Sequence, residues 1–301
     1  MNDHLDFLAA CRAIGCEATA QVPLSDYTTF RIGGAAEYFV SPDAPAQIGE
    51  VIRLCRAYQL PYFVLGKGSN LLVADGGVRG VIISTQKLDR IELLSDGKIR
   101  CESGVSLLRL CRFALDHSLT GLEFAYGIPG TAGGAAYMNA GAYGGEMRDV
   151  LLSCTHVEED GEPGTFEGDA LALRYRGSVY SDTARIITSL LIQLQPGDPA
   201  AIRDRMEELM ARRRDKQPLE YPSAGSTFKR PTGYYAGALI EQCGLKGFAV
   251  GGAQVSDKHA GFVINRGGAT AADVHAVIDH CRAVVQRETG VLLEPEVKFI
   301  G

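Results

Sequence analysis

Residues 121–145 constrain this chain more than any other stretch. The segment carries glycine at 121, 127, 130, 133, 134, 141, 144 and 145 and a single charged residue, Glu123. It is too apolar for a solvated linker and too rich in glycine for a regular helix or strand. A chain that accepts the entropic cost of so much glycine brings its backbone close to something, either a ligand or a buried neighbour. Glycine is over-used in the whole sequence, 36 of 301 residues, yet it is clustered rather than periodic, which excludes a collagen-like repeat.

Regular patterns surround this segment. Residues 36–40 (AEYFV), 61–65 (PYFVL) and 80–84 (GVIIS) are short β-branched or aromatic runs bounded by Gly and Pro, and within 45–59 Ile48, Val51, Ile52 and Cys55 recur at helical spacing. Residues 90–94 and 98–102 flank Ser95-Asp96-Gly97 as a hairpin, and a helix is expected over 105–118 with Leu107, Leu108, Cys111 and Leu115 inward. Strands over 150–160 and 185–194 lead to Pro196-Gly197-Asp198-Pro199, a domain boundary. Beyond it, a helix over 199–215 presents Ile202, Met206, Leu209 and Met210 on one face and ends in Arg212, Arg213 and Arg214, read as a solvated terminus that complements the helix dipole. A second helix spans 270–290, opened by Thr270 with Asp273 three residues later and stopped by Gly290, and the chain closes on a strand over 295–300. The domain junction is therefore placed at 196.

Composition removes several function classes. Net charge is −6, so no general attraction for nucleic acid or anionic membrane exists, and a bound phosphate must be held locally. None of the eight cysteines forms a C-x-x-C pair, and Cys55, Cys111 and Cys281 sit among apolar helix residues as small hydrophobes. His275 and His280 lie about 140° apart around one helix and do not face one metal, so no metal site is expected. The N-terminus, MNDHLDFLAACRAIG, places acids before a short apolar run and lacks a basic leader, and no apolar run approaches the ~20 residues that span a bilayer. These features together predict a reduced, cytoplasmic protein without a membrane partner.

Five motifs could carry chemistry. In Gly66-Lys67-Gly68-Ser69-Asn70 a strand ends in two glycines followed by hydroxyl and amide side chains; this suits a pyrophosphate, though a simple tight turn reads equally well. It is not a dinucleotide fingerprint, because Leu71-Leu72-Val73 follows where a third glycine should open a helix. The second motif, Gly127 to Gly134 with Pro129, Gly130 and Thr131, runs on to Asn139-Ala140-Gly141-Ala142-Tyr143-Gly144. Two nearly uncharged glycine elements some 60 residues apart suit a long dinucleotide lying along backbone amides; the competing reading is buried loop packing. The others are Tyr175-Arg176 with Ser178, the run Ser223 to Pro231 containing Ser226, Lys229 and Arg230, and Glu294-Pro295-Glu296, whose carboxylates would share the polar face of the last strand. No G-x-S-x-G elbow accompanies Ser226, so a hydrolytic triad is not expected.

Taken in order, LGKGSNLLV, GIPGTAGGAAYMNAGAYG, YRGSVY, PSAGSTFKRP, GGAQVSDKHAGFVIN and LEPEVKFIG resemble the UDP-N-acetylenolpyruvoylglucosamine reductases, the MurB family of flavoproteins in bacterial peptidoglycan synthesis. The likeness runs from Thr28 to Gly301, and the direct passage from Arg176 into RIITSLLIQL resembles the shorter subclass, which lacks an inserted tyrosine loop. It implies an α+β protein: an N-terminal helical segment over 1–27, a vanillyl-alcohol-oxidase (PCMH-type) FAD-binding domain over 28–195 made of two α+β subdomains of about 28–85 and 86–195, and a C-terminal α+β substrate-binding domain over 196–301 whose last strand carries Glu296. It further implies noncovalent FAD, NADPH as co-substrate, UDP-N-acetylglucosamine enolpyruvate as substrate, and a monomer.

By position in the motifs, Ser226 would be the proton donor, with Arg176 and Glu296 holding the substrate carboxylate and stabilising the enol intermediate. FAD would be held by Gly66, Lys67, Gly68, Ser69, Asn70, Pro129, Gly130, Thr131, Gly134 and Gly141. Lys229 and Arg230 would meet the diphosphate, and Tyr143, Gln254 and His259 are further substrate candidates. Serine is a weak acid, so Lys229 or another cation must activate it. Two other readings stand beside this one: another oxidoreductase of the same flavin fold acting on a hydroxy acid or sugar alcohol, and a catalytically silent nucleotide-binding protein that keeps the glycine loops.

Overall fold

A computed structural model describes residues 3–301. The first two residues of the expected N-terminal helical segment lie outside the described residues. Only part of that segment is helical: Asp3–Ala13 forms a helix, but Glu17–Pro23 is a strand and Leu24–Tyr27 a single 3-10 turn. The chain forms two compact units. One comprises the N-terminal residues through Gln21, Glu37–Lys67 and Gly80–Arg212; the other comprises Val22–Ala36, Gly68–Arg79 and Arg213–Gly301. Two short segments from the first third of the sequence thus belong with the C-terminal unit, and the helix Pro199–Lys216 spans the change of unit at Arg212/Arg213 rather than lying wholly beyond a boundary at 196.

The first unit has two cores. One lies under a four-stranded sheet ordered Glu17–Pro23, Ala35–Ser41, Val78–Ser84, Tyr62–Leu65, in which Tyr62–Leu65 runs parallel to Val78–Ser84. The helix Pro45–Ala57 covers it because Pro45 presets the first turn, Gln47 Oε1 accepts from the Asp43 and Ala44 amides at 2.8 and 3.2 Å, and Ile48, Val51, Ile52 and Cys55 form one buried stripe. The other core lies under a five-stranded antiparallel sheet ordered Pro163–Glu167, Leu151–Val157, Ile186–Gln193, Lys98–Glu102, Ile91–Leu93. Its helix, Leu107–Asp116, is capped by Ser106 Oγ and buries Leu107, Leu110, Cys111 and Ala114. Leu108, expected inward, is exposed, because the i, i+3, i+4, i+7 stripe runs through Leu110 instead.

Within the glycine-rich segment the chain does form regular structure: a helix over Ala132–Tyr137 and a minimal hairpin of Gly141–Ala142 with Gly145–Glu146. The alanines of 132–136 make this possible, since Ala132, Ala135 and Ala136 are buried and small enough to lie against the sheet.

The second unit packs Phe30, Leu72, Phe228, Ile240, Val274, Val277 and Ile278 into one core. Its helix Ala271–Thr289 follows the sequence signals closely. Thr270 Oγ1 accepts from Asp273 N–H at 3.1 Å, Asp273 Oδ2 accepts from Thr270 N–H at 3.0 Å, and Gly290 closes the helix at φ +75°. A helix at Ala236–Gln242 and a three-stranded sheet of Ala249–Val250, Ala253–Val255 and Val263–Asn265 are additional to those expected. The last strand is shorter than expected, Lys298–Ile300, and pairs in parallel with Leu71–Val73. Arg213 is buried and donates to Gln217 Oε1, so the arginine run is not simply a solvated helix end.

All eight cysteines are free and seven are buried. Burial pushes the Cys55, Cys101, Cys111 and Cys281 thiols up to about 12. His275 packs on the Phe299 ring and His280 stacks on Phe248. No helix among the described residues is long and apolar enough to cross a membrane. Thr270→Ala removes one arm of the capping box and should destabilise the protein by about 1 kcal/mol in urea denaturation without changing the slope of the transition.

Candidate active site

The two glycine elements that lie far apart in sequence meet in the first unit. A Cβ on Gly66 would stand 2.7 Å from Thr131 Oγ1, closer than Cβ contacts come, so the strand end at Leu65 packs directly against the Thr131 side chain before helix Ala132–Tyr137. Thr131 is buried, and its hydroxyl caps that helix by accepting from Gly134 N–H at 3.3 Å. Gln86 Nε2 holds the Gly66 carbonyl at 2.9 Å. The backbone N–H groups of Gly66, Lys67, Gly130 and Thr131 donate to no backbone oxygen among the described residues. Such a cradle of close, uncharged backbone suits the pyrophosphate and ribityl parts of a dinucleotide. Pro129 and Gly134 are exposed beside it, and Gly141 opens the hairpin that follows.

Gly68, Ser69 and Asn70 belong to the second unit. Gly68 is obligatory there: at φ +61° its Cβ would meet the Tyr27 carbonyl at 2.3 Å. Asn70 reaches the C-terminal segment on both sides of the buried Val297, with Nδ2 donating to the Glu296 carbonyl at 3.1 Å and Lys298 N–H donating to the Asn70 carbonyl at 3.0 Å.

The same segment holds Glu296 beside Ser226. Glu296 N–H donates to Thr227 O at 2.8 Å, Phe228 and Pro295 form an antiparallel bridge, and Lys229 N–H donates to Glu294 O at 2.8 Å. Thr227 is buried and anchors the pairing from beneath, donating its N–H to Gly261 O and accepting from Val263 N–H at 2.9 Å through Oγ1. Ser226 itself is exposed and follows Gly225 at φ +75°. Glu296 is half-buried just before the last strand, and Glu294 is exposed with its carboxylate paired to the Lys229 ammonium. The two glutamates therefore have different surroundings, contrary to the single polar strand face expected. Lys229, expected as a diphosphate ligand or as the activator of Ser226, shares its charge with Glu294.

Arg176 lies in the first unit, in a turn closed by Arg174 N–H to Gly177 O at 2.9 Å and Gly177 N–H to Arg174 O at 3.1 Å. It adopts φ +56°, a left-handed conformation worth roughly 1–2 kcal/mol of strain for a residue with a Cβ, at a turn position where glycine would be cheaper. Its Nη1 lies 3.5 Å from the Gly141 carbonyl, and its guanidinium sits over the Tyr175 ring at 5.2 Å. Tyr143 is strained in the same sense, at φ +54° before Gly144 at φ +92°, and Arg212 lies over its ring at 4.9 Å. Strain of this kind persists where surrounding structure enforces it, commonly at functional sites. No periodicity argument could have found it.

Three remaining candidates are more occupied than the sequence suggests. Gln254 uses both ends of its amide, donating to Gly247 O at 3.0 Å and accepting from Arg266 at 2.7 Å. His259 Nδ1 accepts from Gly261 N–H at 3.0 Å, and burial lowers its pKa below the ordinary histidine value. Arg230 stacks on Tyr235 at 4.1 Å. Asn139, not singled out as a ligand, joins the glycine segment to the Arg176 turn: Nδ2 donates to Arg174 O at 3.2 Å and Oδ1 accepts from Arg148 N–H at 2.9 Å.

Residues 36–166 match the FAD binding domain family, and residues 217–300 match the C-terminal domain of UDP-N-acetylenolpyruvoylglucosamine reductase. With the glycine cradle, this defines an FAD-dependent oxidoreductase of α+β architecture. The chain is 45% identical to UDP-N-acetylenolpyruvoylglucosamine reductase of Clostridium perfringens strain SM101 over 100% of this chain and 99% of the relative. It is 49% identical to that of Geobacillus kaustophilus over 93% and 91%. The crystal structure of the Thermus caldophilus enzyme superposes with a TM-score of 0.79 at 34% identity, covering 95% of this chain and 99% of that one. The chain belongs to the UDP-N-acetylenolpyruvoylglucosamine reductase family.

Two outcomes follow. Gly66→Ala drives a methyl group into Thr131 and should give protein that loses flavin on dialysis while remaining folded, read as the ratio of flavin to protein absorbance. His259 is held neutral in the folded state, so its contribution to stability is complete above the unfolded pKa of about 6.5 and declines as pH falls below it. Urea midpoints measured from pH 8 to pH 5 should fall less in His259→Asn, which keeps an acceptor for Gly261 N–H but does not titrate.

Proposed function

We propose that the chain reduces UDP-N-acetylglucosamine enolpyruvate to UDP-N-acetylmuramate with NADPH, in bacterial peptidoglycan synthesis, with Ser226, Arg176 and Glu296 as its catalytic residues. The observation that carries the assignment of Ser226 and Glu296 is the pairing of their segments through the 2.8 Å Glu296–Thr227 hydrogen bond; Arg176 rests on the family motif. FAD, when bound, accepts hydride from NADPH and delivers it to the substrate double bond. The residues assigned to hold it are Gly66, Lys67, Gly68, Ser69, Asn70, Pro129, Gly130, Thr131, Gly134 and Gly141, on the strength of the family's motifs and of the backbone amides around Gly66 and Gly130 that donate to no backbone oxygen among the described residues.

Reduction of the enolpyruvyl group moves negative charge into its carboxylate and leaves one carbon in need of a proton. Ser226 Oγ makes no hydrogen bond to protein among the described residues, so its proton is available to the substrate. Arg176 neutralises the carboxylate, and Glu296 stabilises the enol intermediate, a role open to it when it is protonated or paired with a cation. Otherwise an ionised Glu296 would repel the intermediate. Arg230, its plane fixed on Tyr235, and Lys229 meet the diphosphate; Lys229 does so by exchanging Glu294 for a more highly charged partner, which an exposed ion pair of small net value permits. Tyr143, His259 and Gln254 line the sugar or uridine. Membership of the family is what supports reading the chain as a cytoplasmic monomer.

The test separates the half-reactions. Ser226→Ala should leave anaerobic bleaching of the flavin by NADPH nearly unchanged and slow its recovery on adding the enolpyruvyl sugar by orders of magnitude. Equal loss of both would remove Ser226 from the proton-donor role.

A further inference from the structure

The strained Arg176 turn is held at its C-terminal side by a buried polar cluster that has no part in the chemistry just described. His156, on the strand Leu151–Val157, is 1% exposed and yet engages both ring nitrogens: Nδ1 lies 2.9 Å from the Tyr180 hydroxyl and Nε2 lies 3.1 Å from Glu158 Oε1. Tyr180 is also 1% exposed, and its hydroxyl reaches the Cys154 carbonyl at 3.3 Å. Arg185 closes the ring, donating to Glu158 Oε2 at 2.6 Å and lying over the Phe166 ring at 5.2 Å, while Phe166 stacks on His156 at 4.6 Å. Hydrogen bonding to His156 and Arg185 holds the Glu158 carboxyl below its ordinary pKa. The partner strand makes room for the cluster: Gly164 stands opposite His156, and a Cβ there would lie 2.5 Å from Nε2.

Burying an imidazole, a phenol and one edge of a carboxylate is costly unless every group is paired, and an apolar trio would fill the space without that requirement. What the polar version adds is direction. Tyr180 sits in the 3-10 turn Val179–Asp182, four residues after Arg176, and the intervening Ser178 donates its hydroxyl to Tyr137 O at 2.9 Å. With Asn139 on Arg174 O upstream, the turn is fastened on both sides, and Arg176 is kept at a φ it would otherwise leave.

We propose that His156 is a positioning residue for the enolpyruvyl half-reaction, acting on Arg176 through the hydroxyl of Tyr180. The inference rests on the assignment of Arg176 to the substrate carboxylate. His156→Phe keeps the stack on Phe166 and removes both hydrogen bonds; His156→Asn restores a polar group at the Nδ1 position and hence the bond to Tyr180. In the FAD-loaded enzyme, His156→Phe should slow flavin reoxidation by the enolpyruvyl sugar about tenfold with NADPH reduction unchanged, and His156→Asn should recover most of that rate. In protein stripped of flavin, amide hydrogen exchange over residues 173–182 should accelerate in His156→Phe and return towards wild type in His156→Asn. Combining His156→Phe with Arg176→Ala should cost no more than Arg176→Ala alone. Additive effects, or no recovery by Asn, would overturn the positioning role while leaving Arg176 assigned; a normal reoxidation rate in Arg176→Ala would overturn the assignment beneath it.

Discussion

The contact between Gly66 and Thr131 is the constraint on which the cofactor cradle depends. Thr131 Oγ1 stands where a side chain at residue 66 would have to be, and the same oxygen caps the helix that begins one residue later. One buried hydroxyl therefore fixes both the approach of the two loops and the direction of the amides that leave them. Everything downstream in that unit is built from this point. The helix Ala132–Tyr137 supplies the Tyr137 carbonyl that receives Ser178, and Asn139 follows at φ +41° to hold Arg174. These hydrogen bonds fasten the backbone on both sides of the arginine assigned to the substrate to the end of the helix that leaves the cradle.

A different device serves in the second unit. There, Asn70 ties the end of the first glycine loop to the backbone on either side of Val297, and Thr227 ties the serine segment to Glu296. Backbone pairing sets the relation of serine to glutamate, so it is insensitive to the long side chains nearby. Lys229 and Glu294, by contrast, meet through exposed side chains that can part at little cost. The residues proposed for proton transfer are held by the main chain, whereas Lys229, proposed to meet the diphosphate, is held only by an exposed side chain that can release it.

Much of this was legible in the sequence. Apolar period located the helices at 45–57 and 107–116 to within a few residues, and period together with the Thr270, Asp273 and Gly290 end signals located that at 271–289. The order of the motifs, through the family resemblance, pointed to the candidate site residues. Pattern could not report conditions that arise only on packing. Alanine-rich 132–137 reads as coil beside so much glycine, yet small side chains let it helix against a sheet. Arg213 reads as solvated beside Arg212 and Arg214, yet it is buried. Glu294 and Glu296 look equivalent in alternation, and only the structure gives one to Lys229 and sets the other beside Thr227. The left-handed Arg176 and the paired His156 leave no periodic trace at all. Membership of the two units is likewise invisible locally, since 22–36 and 68–79 join the second through non-local pairing such as Leu71–Val73 with Lys298–Ile300.

The central claim, that the glycine elements hold a flavin which this chain reduces with NADPH and reoxidises with an enolpyruvyl sugar, is tested most directly by the visible spectrum of the purified protein under anaerobic titration. The account predicts an oxidised flavin spectrum, bleached by one equivalent of NADPH and restored by one equivalent of UDP-N-acetylglucosamine enolpyruvate. A flavin that bleaches and is not restored by the sugar would contradict the substrate. Protein that takes up no flavin on reconstitution would contradict the cradle itself.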